Sequence, residues 1–201
     1  KEERFAFAPL ENAADLRLDY DRTILPPKKY FLPPRETMFT YDARQGYRAG
    51  SEDLDRRLIL FGVHACDIYG INILDEVFGE PFPDPYYRQR RQNVAIIGID
   101  CTPDEHCFCH SMRADFVDHG FDLFFYDIGD HYLTLVGTAL GDDMVLATGA
   151  LFEEVTEADI REYKRRSSQK RESFQLDIDI RDLPEIFELE YGAEIWERLG
   201  E

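Results

Sequence analysis

The chain has 201 residues, and its 44% hydrophobic content can supply the core of one domain. Its 23 basic and 41 acidic residues give a formal net charge of −18, which argues against a nucleic-acid partner because such proteins need clustered basic residues. No apolar run approaches the roughly 18 residues of a membrane-spanning helix, so we expect no membrane insertion. The acidic balance and the lack of a signal-peptide pattern favour a cytoplasmic location.

The first 50 residues predict an extended, Pro-rich arm packed on the core. Two Pro-Pro pairs within 24–35 fix φ and bias the preceding residues away from helix. The arm also concentrates basic residues, namely Arg22, Lys28, Lys29, Arg35, Arg44 and Arg48. Two interpretations are equally open: residues 30–32 anchor an ordered loop, or Lys28, Lys29 and Arg35 form a docking surface.

Residues 51–201 have the pattern of an α/β domain. Residues 58–63 and 93–99 are short apolar runs typical of strands buried on both faces. Between them, 67–78 carries apolar residues at helical spacing. A strand, a helix and a strand in this order predict a parallel pair with a right-handed crossover.

The carboxyl half predicts a hairpin and two helical segments. Residues 121–126 and 131–136 have strand character and flank a short turn, which makes the sheet mixed. A polar surface helix is expected over 154–173 with Thr156 as its cap, and 182–200 predicts a helical end. The predicted fold class is therefore α/β, with a mixed, partly parallel sheet, a Pro-rich N-terminal arm and a helical C-terminus.

All four cysteines follow the two predicted parallel strands. Cys66 comes three residues after the first strand and Cys101 two residues after the second, while Cys107 and Cys109 share the loop of Cys101. The carboxyl ends of parallel strands meet at one edge of a sheet. The sequence therefore predicts that the four sulfurs meet there in one metal site.

Four thiolates suit either zinc or an iron-sulfur cluster. Structural zinc sites usually present Cys-x2-Cys pairs, which this chain lacks, and the Cys-x-Cys pair at 107 and 109 is a poor chelate for one tetrahedral ion. We therefore favour a 4Fe-4S cluster and keep zinc as the alternative. Unrelated buried thiols and a redox-active Cys107 and Cys109 pair stay open as well.

Three histidines lie close to these cysteines in sequence. His64 precedes Cys66, and His106 and His110 flank the later pair. Each is a candidate to replace one ligand or to tune the centre by hydrogen bonding, although most histidines have only structural roles.

Four motifs in order make the chain resemble a known family. They cover residues 25–35, 62–67, 86–91 and 98–112, within a match over roughly 20–140. These motifs resemble the beta subunits of sulfhydrogenases and the A subunit of anaerobic sulfite reductase. Of the functional residues, the four cysteines match this pattern, and their ligation of a cluster is inferred from their spacing.

In that family, a domain of this kind precedes a ferredoxin-like region with two 4Fe-4S clusters, which passes electrons between a flavin-binding and a catalytic subunit. The ferredoxin spacing Cys-x2-Cys-x2-Cys is absent from these residues. Since the chain starts at Lys1 and stops after a predicted helix, we expect an amino-terminal fragment of such a subunit.

The resemblance implies a non-catalytic, electron-transfer part of a cytoplasmic hydrogenase or sulfite reductase complex. A zinc-stabilised or metal-free interaction domain without a redox role is the alternative. A third hypothesis is an independent enzyme that uses Cys109 with a histidine base. This last hypothesis is disfavoured because no nucleotide-binding glycine fingerprint or phosphate loop is present.

Overall fold

The computed structural model describes residues 5–50 and 54–199, and every structural statement below concerns those residues. The predicted domain boundary after residue 50 adjoins residues 51–53, which lie outside the described ranges. The predicted helical segment 182–200 ends at Gly200, which also lies outside them. The division into an arm over 1–50 and a domain over 51–201 stays a prediction.

A four-stranded mixed sheet forms the centre of the molecule. Its strands stand in chain order and comprise β3 (Leu58–Val63), β4 (Val94–Ile99), β5 (Leu123–Asp127) and β6 (Tyr132–Val136). The strands β3, β4 and β5 run parallel, and β6 pairs antiparallel with β5. Every residue of β4 is buried, as expected for a central parallel strand. The predicted α/β class with a mixed, partly parallel sheet is confirmed.

Two helices connect β3 to β4. Helix α1 (Ala65–Val77) begins two residues earlier than its apolar spacing predicts and buries Ile68 and Ile71. It packs closely on the sheet at Gly98, where a Cβ atom would lie 2.3 Å from Phe124 Cδ2 and 2.9 Å from Ile68 Cδ1. Only a glycine allows the helix and the strands to approach so closely at this position.

Helix α2 (Pro85–Gln92) was not predicted. Its residues are mostly polar, so no apolar period marks it, although it buries Tyr87 and Arg90. Its start did carry a local signal: the Asp84 carboxylate accepts the amide hydrogens of Tyr86 and Tyr87 at 2.8 and 2.9 Å, and Pro85 occupies the first turn.

The Pro-rich segment is not extended throughout. Residues Pro27–Tyr30 form one turn of 3₁₀ helix, and the next residue, Phe31, is fully buried in the main core. Farther along the predicted arm, β1 (Phe39–Asp42) and β2 (Gly46–Ala49) form an antiparallel hairpin that the sequence analysis missed. Proline sets φ near the value of a 3₁₀ turn, so two Pro-Pro pairs do not require an extended chain.

The helices after the sheet differ from the prediction in number and in contacts. They are α3 (Ala139–Ala147), which was not predicted, α4 (Glu157–Ser173), α5 (Leu183–Leu189) and α6 (Ile195–Leu199). The Thr156 cap of α4 is confirmed, with reciprocal hydrogen bonds to Asp159. Helix α4 is not purely surface material, since Tyr163 packs on Tyr126 with ring centroids 4.8 Å apart. Among the described helices, none is long and apolar enough to cross a membrane.

Candidate metal centre

The four cysteines stand at the carboxyl edge of β3 and β4. Cys66 lies in the first turn of α1, directly after β3, and the others lie in the loop after β4. The two strands are parallel neighbours, with Val63 paired to Gly98 at this end. The topology therefore brings both chain segments to one edge, as the order of the elements predicts.

Cys66 and Cys109 interact directly. A side-chain hydrogen bond with Cys109, together with desolvation, raises the pKa of the Cys66 thiol, although part of this side chain faces solvent. The same hydrogen bond lowers the pKa of Cys109 to about 7. The opposite directions of the two pKa shifts indicate that Cys66 and Cys109 lie close enough to influence each other's ionisation.

The remaining two thiols belong to the same group. Burial raises the pKa of Cys101 to about 11, and the nearby charges of Cys109 and Cys107 add to this effect. Burial also raises the pKa of Cys107, whose sulfur accepts a hydrogen bond from the Asp104 amide at 3.4 Å. Each thiol therefore responds electrostatically to others of the set.

The four thiols lie at the same edge of the sheet, but they are not arranged around a single metal-ion position. Within residues 5–50 and 54–199, no three or more Cys, His, Asp or Glu side chains are arranged so that they could hold a single metal ion. We use the name cysteine edge for Cys66, Cys101, Cys107 and Cys109 together with the chain that carries them.

Lys170 brings a cation to the cysteine edge. It comes from α4, keeps only 13% of its side chain exposed, and forms an ion pair with Asp100. Burial alone would lower the pKa of Lys170, but the charges of Cys101 and Asp100 outweigh it and raise the pKa. Lys170 also lies close enough to lower the pKa of Cys109. Nothing in the sequence marks Lys170 as part of this edge, because it lies 70 positions away from Asp100.

The basic residues of the N-terminal arm divide between two places. Arg22 pairs with Asp104 at 2.9 Å, within the cysteine loop. Burial raises the pKa of Asp67 to about 6, and the charge of Lys28 partly offsets this rise. Lys29 instead donates to the Phe7 carbonyl at 2.6 Å, and Arg35 lines a cavity elsewhere. Of the three docking candidates, Lys28 therefore lies near the cysteine edge.

His64 is the histidine that the fold buries beside this edge. It is 3% exposed and stacks on Tyr20 with ring centroids 4.1 Å apart. Its Nε2 atom has no hydrogen-bond partner among the described residues. Burial and the charge of Lys170 lower the pKa of His64 to about 4, so the ring is neutral at pH 7.

The other two candidate histidines have different partners. His106 is exposed, with Nε2 3.6 Å from Glu105 Oε1. His110 Nδ1 lies 3.1 Å from Asp115 Oδ2, and its ring stacks on Phe174. Their contacts are therefore with carboxylates and an aromatic ring.

Tyr20 was also missed, since nothing in its sequence neighbourhood marks it. Its buried hydroxyl donates to the Gly62 carbonyl at 2.6 Å, just before the turn into α1. Gly62 has φ of +81°, a conformation that L residues rarely adopt. The N-terminal segment thus holds the backbone that leads to Cys66.

The chain is 40% identical over 197 residues to the beta subunit of sulfhydrogenase 2 from Pyrococcus furiosus. The chain is a relative of the sulfhydrogenase beta subunits. The resemblance to this family, expected from the four motifs, is confirmed. The match covers 98% of the chain and 58% of that subunit, so the chain spans little more than half the length of this relative. No protein-family profile and no solved structure matches the chain.

In this relative of the sulfhydrogenase beta subunits, the cysteine edge offers the ligand type that certain metal centres prefer. Thiolates are soft ligands that suit zinc and iron-sulfur centres. The Asp104 amide offers a hydrogen bond to sulfur, and Lys170 offers positive charge. The edge therefore combines soft donors with the groups that stabilise negative charge on them.

Proposed function

We propose that this chain is an electron-transfer domain of a hydrogenase-type complex, in which Cys66, Cys101, Cys107 and Cys109 ligate one 4Fe-4S cluster. The observation that carries the proposal is the grouping of all four thiols at one edge of the sheet. The relative named above supports the hydrogenase type, and a sulfite-reductase-type complex is the alternative within the same family resemblance.

The donor set fits such a cluster. Four thiolates are its usual ligands, and each binds a different iron, so the sulfurs need not converge on one point. The Cys-x-Cys pair at 107 and 109 is a poor chelate for one tetrahedral ion, which favours the cluster over zinc. When bound, a 4Fe-4S cluster supplies one-electron transfer.

The residues around the thiols supply what a negatively charged centre needs. Lys170 contributes a partly buried positive charge, and the Asp104 amide donates to Cys107. Arg22 holds the cysteine loop to the N-terminal arm through its ion pair with Asp104. Together these groups stabilise deprotonated thiols and keep the loop in position.

In this proposal, His64 and Tyr20 exclude water from one side of the cluster. Their stacked rings are both buried, and neither is charged at pH 7 because burial lowers the pKa of the histidine and raises that of the phenol. A less polar surrounding of this kind tunes a reduction potential.

The partners follow from the same proposal. A domain with one electron carrier and no catalytic residues of its own passes electrons between other subunits, and we propose a flavin-binding and a catalytic subunit for these roles. Independent catalysis by Cys109 with a histidine base stays disfavoured, because the sequence has no nucleotide-binding glycine fingerprint or phosphate loop. The cytoplasmic location stays a prediction from the sequence.

Metal analysis of the 201-residue chain, purified without air, tests the proposal. We expect about four irons and four sulfides per chain and broad absorption near roughly 400 nm. One zinc without iron would support a zinc-stabilised interaction domain instead, and metal-free, colourless protein would contradict the cluster.

A further inference from the structure

A basic cavity lies at the opposite end of the sheet from the cysteines. It has a volume of about 720 Å³ and reaches Leu58 and Val94, the paired first residues of β3 and β4. Six residues of strand span about 20 Å, which separates this cavity from the cysteine edge. The two places are therefore separate in space.

Charge is distributed unevenly in this cavity. Among the residues that the structure describes, its lining includes a single carboxylate, Glu36, which is already paired with Arg90. The same lining has five basic side chains: Lys29, Arg35, Arg48, Arg56 and Arg90. In the whole chain acidic residues outnumber basic ones by 41 to 23, so this excess of positive charge is opposite to the average of the chain. We call the feature the arginine cavity.

Three of the arginines have no anionic partner among residues 5–50 and 54–199. Among the described residues, no carboxylate lies within 4 Å of Arg35, Arg48 or Arg56. Like charges that share a concave site repel one another, and a bound anion removes that repulsion. The guanidinium fork matches phosphate and carboxylate oxygens with two parallel hydrogen bonds.

Contacts within the protein hold the side chains at the floor of the cavity in position. Arg90 is buried and donates to the Phe31 carbonyl at 3.2 Å, in addition to its pair with Glu36. Thr37 and Thr40 bring hydroxyl groups to the lining. Of the described lining residues, Tyr30 alone is aromatic. Its hydroxyl donates to the Phe7 carbonyl at 3.0 Å, and the Lys29 ammonium lies over its ring. Recognition by charge and hydrogen bonding therefore outweighs stacking.

From these observations we infer that the arginine cavity binds a small molecule bearing two or more phosphate groups. The volume is in the range of small-molecule sites, about 300–1,000 Å³, and is sufficient for a nucleotide. The cavity shares no residue with the cysteine edge, so this inference does not depend on the proposed cluster.

Calorimetric titration with inorganic pyrophosphate and with ADP, without added magnesium, tests the inference. We expect binding of one molecule per chain. Arg35→Gln, Arg48→Gln and Arg56→Gln combined should weaken binding by at least about tenfold, because each arginine contributes a charge-assisted hydrogen bond. Tighter binding of ADP than of pyrophosphate would identify a nucleotide, and equal binding would identify the phosphates alone as the recognised group.

The matched control removes the same charge elsewhere. Arg44, Arg88 and Arg161 are exposed and do not line the cavity. Their combined replacement by glutamine should change affinity by less than about twofold, apart from long-range screening. Equal losses in the two triple variants, or no binding of either probe, would overturn the inference. Binding of a polyglutamate peptide in place of both probes would overturn it in favour of an acidic protein segment.

Discussion

The cysteine edge and the arginine cavity occupy opposite ends of the same parallel strands, and they are built in different ways. At the cysteine edge, the reactive groups are partly buried and each has a neighbour that responds to its charge. In the arginine cavity, three exposed arginines have no anionic partner among the described residues. The first arrangement supplies its own counter-charge, whereas the second leaves room for charge from outside.

The Pro-rich segment links the two ends. Phe31 is fully buried, its carbonyl accepts from Arg90 in the cavity, and the residues beside it bring Lys28 toward Asp67. A change in this segment should therefore affect both places, whereas a change in either site should stay local.

The largest expected effect is the loss of the cluster in Cys101→Ser. A hydroxyl is a poor ligand for iron, so iron per chain should fall from about four to nearly zero while pyrophosphate affinity stays unchanged. Iron analysis and calorimetry on the same preparation check both results. His106→Ala is the control, since this exposed side chain in the same loop should leave the iron in place. Retention of iron in Cys101→Ser would contradict the proposed ligand set.

The next effect is general destabilisation in Phe31→Ala. Removing this fully buried ring should lower the free energy of unfolding by about 3–5 kcal/mol, as measured by urea denaturation. Because the segment contacts both ends, pyrophosphate binding and iron retention should weaken together. Phe82→Ala is the control: that ring is 86% exposed, and a change within about 0.5 kcal/mol is expected. A loss below about 1 kcal/mol for Phe31→Ala would show that the segment is not part of the core.

A smaller effect is expected for Lys170→Met. The change leaves the partly buried Asp100 unpaired and should lower the free energy of unfolding by about 2 kcal/mol. It should also lower the reduction potential of the proposed cluster, because a nearby positive charge favours the reduced form. Lys164→Met is the control on the same helix, at an exposed position. Equal potentials in the two variants, from a redox titration followed by electron paramagnetic resonance, would rule out a tuning role for Lys170.

The smallest effect is expected at the start of α4, in Thr156→Ala. The Thr156 hydroxyl caps the Asp159 amide at 3.3 Å, and its loss should cost about 1 kcal/mol in thermal or urea unfolding. Ser168→Ala, within the same helix, should be neutral or slightly stabilising. Equal stability of both variants would show that the capping box does not fix the helix that carries Lys170.

Local patterns alone determined much of this protein. Short apolar runs predicted both β3 and β4, and the Thr156 cap marked the start of α4. Burial on both faces is confirmed for β4 alone, because β3 lies at the edge of the sheet and exposes Ile59 and Phe61. The position of the cysteines directly after two parallel strands predicted that the segments carrying them lie at one edge of the sheet, because the carboxyl ends of parallel strands meet there. These features depend on residues that are close in sequence or on the order of the elements.

Only the tertiary structure decided the rest. Helix α2 lacks an apolar period, and one turn of 3₁₀ helix interrupts the Pro-rich segment that composition alone marks as extended. Lys170 meets Asp100 across 70 positions, and Arg90 meets Glu36 across 54. Pairs of this kind follow from how helices and arms pack on the sheet, and no spacing rule within one segment encodes that packing.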